Sequence, residues 1–336
     1  MKTKPRLSMI AISMLFAGSA FAGNNPVDEP WWPSEFGAND EMGASQYITP
    51  QKRIEAAKLV KQGKMALLGM PYSNAMPLVP GRTFALSIPG APTHGPLPWP
   101  GEGFAQTFMD ELVTAEIGQV GTQWDGFAHP MIRIQGKPGW KDGNYFYNGV
   151  RLEDVETPRG LKKNGTEKAG GFFTRGILID MAALKGVERL PKGYAITIAD
   201  YKAALQKQGI GDATKGDVVL LRTGYGRQKR EKGPVPMHEG QAGWHAACLP
   251  WLRERGVAAI GSDTANDVVP SGYLQVALPV HSIGIVAMGL WLIDNCDLEA
   301  LTATCERLRR WEFCFSVSPL RIQGGTGSPV NPLASF

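Results

Sequence analysis

Apolar positions in this chain fall into short unbroken runs more than into long helical stripes. Ile177-Leu178-Ile179, Val218-Val219-Leu220-Leu221 and Val257-Ala258-Ala259-Ile260 are three such runs. Each is short and bounded by turn residues, as expected of a strand buried on both faces. Helical punctuation lies between them. Thr197 and Asp200 have the spacing of a capping box for a helix over 198–208, which Gly209 closes. A further helix is expected over 246–255, with Pro250 limiting where it starts. Upstream, Thr49 caps a helix that begins at Pro50 and runs toward Gly63, with Ile54, Ala57 and Val60 as its apolar stripe. Thr114 to Gln119 reads as a strand. This alternation predicts an α/β architecture. Residues 24–49 are rich in Trp, Pro, Gly and Asn and predict an irregular arm, and the Pro- and Gly-dense stretch 71–103 is expected to cross the surface. There is no internal repeat.

The chain start changes the charge picture. Lys2, Lys4 and Arg6 precede an apolar run over 7–17, and Ala20-Phe21-Ala22 is a small-x-small cleavage site. Residues 1–22 therefore read as a secretory signal peptide. This divides the chain into 1–22, an N-terminal arm and helix over 23–70, and a catalytic domain over 71–336, and it predicts a periplasmic or secreted protein with no membrane attachment after cleavage. Removing three of the 35 Lys and Arg leaves 32 against 31 Asp and Glu, a formal charge of +1. No basic stripe with interleaved aromatics remains, so nucleic acid is not an expected partner; a small-molecule substrate is. Cys248, Cys296, Cys305 and Cys314 match no common zinc spacing. Cys314, inside Phe313-Cys314-Phe315, reads as a buried strand thiol, and one bridge involving Cys296 or Cys305 is allowed by export.

The chemistry concentrates in Gly118-Gln119-Val120-Gly121-Thr122-Gln123-Trp124-Asp125-Gly126-Phe127-Ala128-His129. On an extended strand Gln119, Gln123 and Asp125 would share a face. Asp125 is an anion between glycines, able to hold a cation or cap local N–H groups. His129 can exchange a proton near neutral pH, which suits protonation of a leaving group. Asp263, just past a buried strand, can line a crevice or close a turn. Trp32 in the arm and Trp124 in the motif are candidate walls for a flat apolar substrate.

These residues, with Asn148-Gly149-Val150, Gly176-Ile177-Leu178-Ile179-Asp180, Leu221-Arg222-Thr223-Gly224, Gly261-Ser262-Asp263-Thr264 and Gly324-Gly325-Thr326-Gly327-Ser328-Pro329, resemble the cyclase-like metal-dependent hydrolases, the family of kynurenine formamidase and isatin hydrolase. The resemblance implies a swivelling β/β/α fold, homo-oligomers, and a divalent metal that activates water against an amide or cyclic amide carbonyl. Its signature is His-x-Gly-Thr-His-x-Asp-x-x-x-His, and the matching positions are Gln119, Gly121, Thr122, Gln123, Asp125 and His129. By this resemblance Gln119, Gln123 and Asp125 are ligand positions, His129 is the general acid/base, His281 is the distant histidine, and Asp294 falls where a glutamate is expected.

Two departures matter. Both signature histidines are glutamine, and the distal glutamate is the shorter Asp294. A carboxamide offers a neutral oxygen where imidazole offers nitrogen, so a metal here (Mn, Zn or Mg) is expected to bind more weakly and to shift toward Mn²⁺, Mg²⁺ or Ca²⁺. The leading expectation is an exported, arylformamidase-like hydrolase of an amide, lactam or lactone carbonyl. A metal-free lyase or cyclase using Asp125 and His129 is one alternative, and a non-catalytic small-molecule binding protein is another. Tryptophan catabolism follows from similarity alone.

Overall fold

The computed structural model describes residues 30–336 apart from Pro77, Pro80 and 233–235, so the expected leader lies outside the described residues. Nine strands build the central sheet: β1 (Met65–Leu67), β2 (Gln123–Asp125), β3 (Phe172–Asp180), β4 (Val218–Arg222), β5 (Ala259–Ser262), β6 (Trp291–Asp294), β7 (Glu312–Val317), β8 (Gly327–Pro329) and β9 (Leu333–Ser335). Their spatial order is β1-β9-β7-β3-β4-β5-β6-β2-β8. The middle four, β3 to β6, are parallel, and the flanking pairs are antiparallel. This is the mixed α/β fold expected from the sequence.

The parallel strands are the continuous apolar runs. Ile177, Leu178, Ile179, Val218 to Leu221, Ala259 and Ile260 are all fully buried, because helices and loops cover both faces. The helix Ile198–Gln208 carries the expected capping box, with Thr197 Oγ1 accepting from Asp200 N, and it ends on left-handed Gly209. The expected helix over 246–255 is a 3₁₀ turn, Ala246–Cys248, followed by an α-helix, Leu249–Glu254, with Pro250 in its first turn. Replacing Thr197 by Ala should lower unfolding free energy by about 1 kcal/mol in urea titration. An unchanged midpoint would show that tertiary packing alone holds that helix.

Four expectations need correction. The helix at Pro50 stops at Ala57, short of Gly63. Its buried residue is Ala56, while Ile54 and Val60 face solvent, because the short helix lies against β3 and β7 through its smallest side chain. The strand expected over 114–119 is Leu112–Ala115, which pairs with Phe84–Ser87 outside the main sheet. All four cysteines are buried free thiols, so no bridge involves Cys296 or Cys305. Cys314 does lie inside a strand, as expected. The 71–103 stretch crosses the surface, as expected, and holds one strand of each of two exposed antiparallel pairs, Phe84–Ser87 with Leu112–Ala115 and His94–Pro98 with Ala105–Phe108. Among the described residues no helix is long and apolar enough to cross a membrane.

Candidate active site

The site forms where β2 inserts between β6 and β8. Strand register sets Asp294 opposite Gln123 and Gly327 opposite Asp125. Residues directly opposite share a face, so Gln123, Asp125 and Asp294 converge on one side of the sheet. Gln119 arrives differently, from the turn before β2. That turn packs against β8: a Cβ on Gly118 would sit 2.4 Å from the backbone of Gly327, and one on Gly327 would sit 3.2 Å from Gln119 Nε2. Two glycines therefore clear the space Gln119 occupies.

His281 comes from a separate element. It lies in the first turn of a π-helix, Val280–Ala287, a helix type often found at functional sites. Asp267 fixes that turn. Its carboxylate accepts from Val280 N at 2.7 Å and His281 N at 3.1 Å, and it holds His281 Nδ1 at 2.6 Å. The other ring nitrogen, Nε2, lies 3.1 Å from Asp125 Oδ2 and 3.4 Å from Asp294 Oδ2. Asn266, in a left-handed conformation at φ 55°, donates its amide to Asp294 Oδ1 at 2.7 Å and to Ile293 O at 3.2 Å.

Asp125 is the hub. Its Oδ1 accepts from Gln119 Nε2 at 2.8 Å and from Gln123 Nε2 at 3.1 Å, and Gln123 Nε2 also reaches Gln119 Oε1 at 3.1 Å. As placed, the glutamines turn their amide nitrogens toward the carboxylate. Burial pushes the Asp125 carboxyl up, but the charge of His129 and the hydrogen bonds from His281 and Gln119 outweigh it, so it lies below the usual range. Asp294 is pushed up, first by burial and then by the Asp125 charge, with His281 opposing. Burial opposes protonation of His281, yet Asp294, Asp125 and Asp267 together raise it well above its ordinary value.

His129 closes the turn after β2, its N–H donating to Gly126 O at 3.0 Å. It is half-buried, and its ring has no hydrogen-bond partner among the described residues. It is thus free to meet a substrate beside Asp125.

The donor chemistry fits a divalent cation. Asp125, His281 and Asp294 each offer one ligand atom, and these atoms lie within 4.8 Å of one another. The Asp267 carboxylate at Nδ1 leaves Nε2 as the ligating nitrogen, the arrangement common to metal-binding histidines. The glutamines enter as donors to Asp125 instead.

The structure brings Gln119, Gln123, Asp125, His129, His281 and Asp294 together. It does not bring the tryptophans. Trp124 is fully buried and packs on Phe172 and Trp291, because its strand position points it to the opposite face from Asp125; its expected role as a substrate wall is corrected to a core role. Trp32 stacks on Tyr145 beside Trp31 and Trp140, and no ring contact among the described residues links it to the acidic cluster. Asp263 closes a turn, accepting from Thr223, Gly224 and Gly226 N–H groups. Asn266 and Asp267 were missed by sequence reasoning. Their only signal was an Asn-Asp pair shortly after a buried strand.

Comparison with known proteins places this arrangement. A solved structure described as a novel cyclase is 32% identical, with 90% of this chain and 98% of that chain covered and a TM-score of 0.74. Isatin hydrolase A from Ralstonia solanacearum (19% identity, 85% and 97% covered, TM-score 0.53) and isatin hydrolase A from Labrenzia aggregata (16%, 83% and 94%, TM-score 0.53) share the fold. No curated protein matches the sequence. The family model described as "Putative cyclase" matches residues 43–266, which takes in the motif strand, Asp125, His129 and Asn266, and with it the chain belongs to the Cyclase family.

Proposed function

We propose that the protein is an exported hydrolase of an amide, lactam or lactone carbonyl, arylformamidase-like in its chemistry. The observation that carries this reading is the buried convergence of Asp125, His281 and Asp294, with His129, whose ring has no hydrogen-bond partner among the described residues, close enough for its charge to act on Asp125. Three carboxylates (Asp125, Asp267 and Asp294) crowd one imidazole, so even a protonated His281 leaves negative charge in a buried site. A divalent cation held by Asp125, His281 and Asp294 would relieve that excess and supply Lewis-acid activation of water. The chain's own groups do the rest. Asp267 orients His281, Gln119 and Gln123 fix the Asp125 carboxylate, and His129 delivers a proton to the departing nitrogen or oxygen.

One observation favours a second reading. Gln119 and Gln123 both spend N–H donors on Asp125 Oδ1, which stabilises the bare carboxylate without any metal. In that reading Asp125 and His129 move protons directly, as a lyase or cyclase requires. Fractionation of cells making the full chain tests export: cleavage after Ala22 and recovery outside the cytoplasm support it, and retention of the uncleaved chain overturns it.

Metal analysis of protein purified without chelators separates the two readings. It is paired with turnover on a panel of aryl formamides, lactams and lactones. Near-stoichiometric metal with hydrolysis supports the first; turnover that survives chelation supports the second. His129→Gln should lower turnover on the best substrate about 100-fold with little change in folding stability. A variant as active as the parent would remove His129 from the chemistry.

A further inference from the structure

We propose that Lys229 is a positioning residue for the Asp294 side of the active site and acts through Asn295, a role that rests on Asp125, His281 and Asp294 being the reactive centre. Lys229 belongs to the helix Tyr225–Lys232, which follows β4 across the turn that Asp263 closes. Its ammonium donates to Asp263 O at 2.9 Å and to the Asn295 carboxamide oxygen. Both partners are neutral, and among the described residues no carboxylate forms an ion pair with it. Burial pushes the ammonium below the ordinary lysine value, with the charges of Asp263 and Asp294 opposing. Taking an ammonium out of water is costly, and neutral oxygens recover only part of that cost. A methionine would fill similar space without it. Packing alone therefore gives no account of a lysine here.

What Lys229 grips does give one. Asn295 follows Asp294 directly and stands in the left-handed region at φ 58°, where a residue other than glycine stays only if its surroundings hold it. Three contacts do so. Its N–H donates to Thr264 O at 3.0 Å, its carbonyl accepts from Thr122 Oγ1 at 2.7 Å, and its side chain accepts from Lys229. Thr122 in turn precedes Gln123 and lies three residues before Asp125. Asn295 thus bolts the end of β6, which carries Asp294, to the turn after β5 and to the start of β2, which carries Asp125. Lys229 supplies the hold on its side chain, which has no other hydrogen-bond partner among the described residues. Released there, Asn295 can relax out of the left-handed region, and Asp294 Oδ2 would leave its 3.4 Å contact with His281 Nε2.

Three variants test this. Lys229→Met fills the space and removes the donor, Lys229→Arg keeps a cationic donor, and Asn295→Ala removes the same contact from the other side. In crystals of Lys229→Met or Asn295→Ala grown without metal, Asp294 Oδ2 should stand away from His281 Nε2, a result read without cation or substrate. Mn²⁺ titration of the purified protein should show about 10–100-fold weaker binding in both, with Lys229→Arg close to the parent. Removing a positive charge near the site would by itself tighten a cation, so weaker binding reports displaced ligands. Urea titration separates this from a lysine that only supports the fold. Exchanging a buried charge for a packed apolar group is often neutral or stabilising, so Lys229→Met should keep or raise its midpoint. An unmoved Asp294, Mn²⁺ binding equal to or tighter than the parent's, or a fall in stability that accounts for the fall in affinity would each overturn the proposal. A parent that binds no Mn²⁺ would take the metal out of the proposed function, and the crystal comparison would then decide the role of Lys229 alone.

Discussion

Asp125→Asn should abolish useful turnover while leaving the protein folded. The substitution keeps the shape of the side chain and removes its charge. Asp125 accepts from Gln119, Gln123 and His281, so an asparagine must turn an N–H group toward at least one of those donors. The carboxylate that would hold a cation, or act as base without one, is gone in either reading. We expect a loss of about 10⁴-fold in kcat/KM, equivalent to about 5.5 kcal/mol of transition-state stabilisation. Stability should fall much less. Breaking a buried charge pair ordinarily costs about 3–5 kcal/mol. Here the loss is offset, because the Asp125 charge also repels Asp294, and removing it relieves that crowding. A drop below about 2 kcal/mol in urea titration is therefore expected. Turnover within tenfold of the parent would take Asp125 out of the chemistry altogether. Equal collapse of stability and turnover would make it a structural acid.

Different parts of this site were legible in the sequence to different degrees, for physical reasons. Gln123 and Asp125 were readable together because a two-residue step on a strand keeps side chains on one face. The same rule sends Trp124 to the other face, into the core with Phe172 and Trp291, and there its residue type misled. Gln119 reached the site without the expected strand. Its place depends on Gly118 meeting Gly327, a contact across some two hundred residues that no local pattern encodes. His281 and Asp294 came from family resemblance, not from spacing. Asp267 escaped notice because its work is to cap a π-helix, and that helix leaves no periodic signature to point back at its cap. The parallel strands, by contrast, announced themselves: burial on both faces demands unbroken apolar runs.

Restoring histidine at both glutamines, Gln119→His with Gln123→His, should convert a weak or absent zinc site into a tight one. The glutamines already stand around Asp125, with nitrogen atoms 2.8 Å and 3.1 Å from its Oδ1. Imidazoles at those positions would add two nitrogen ligands to the three donors of Asp125, His281 and Asp294. Nitrogen suits zinc, whereas carboxamide leaves an oxygen-rich set that suits harder cations. Because losing even the outer partner of a ligand changes metal affinity about 10–100-fold, two new ligands should tighten zinc by about 10³-fold or more. Competition titration against a chromogenic chelator reads this directly, with no need for a substrate. The parent protein should retain manganese or magnesium in preference to zinc, and the double variant should reverse that order. The single variants should fall between, since each supplies one nitrogen and leaves one amide bonded to Asp125. Should the double variant bind zinc no better than the parent, with Asp125 still hydrogen-bonded and the fold intact, the glutamine positions do not face the cation. The site would then be built around the proton shared by Asp125, His281 and Asp294, and the acid/base reading would replace the metal one.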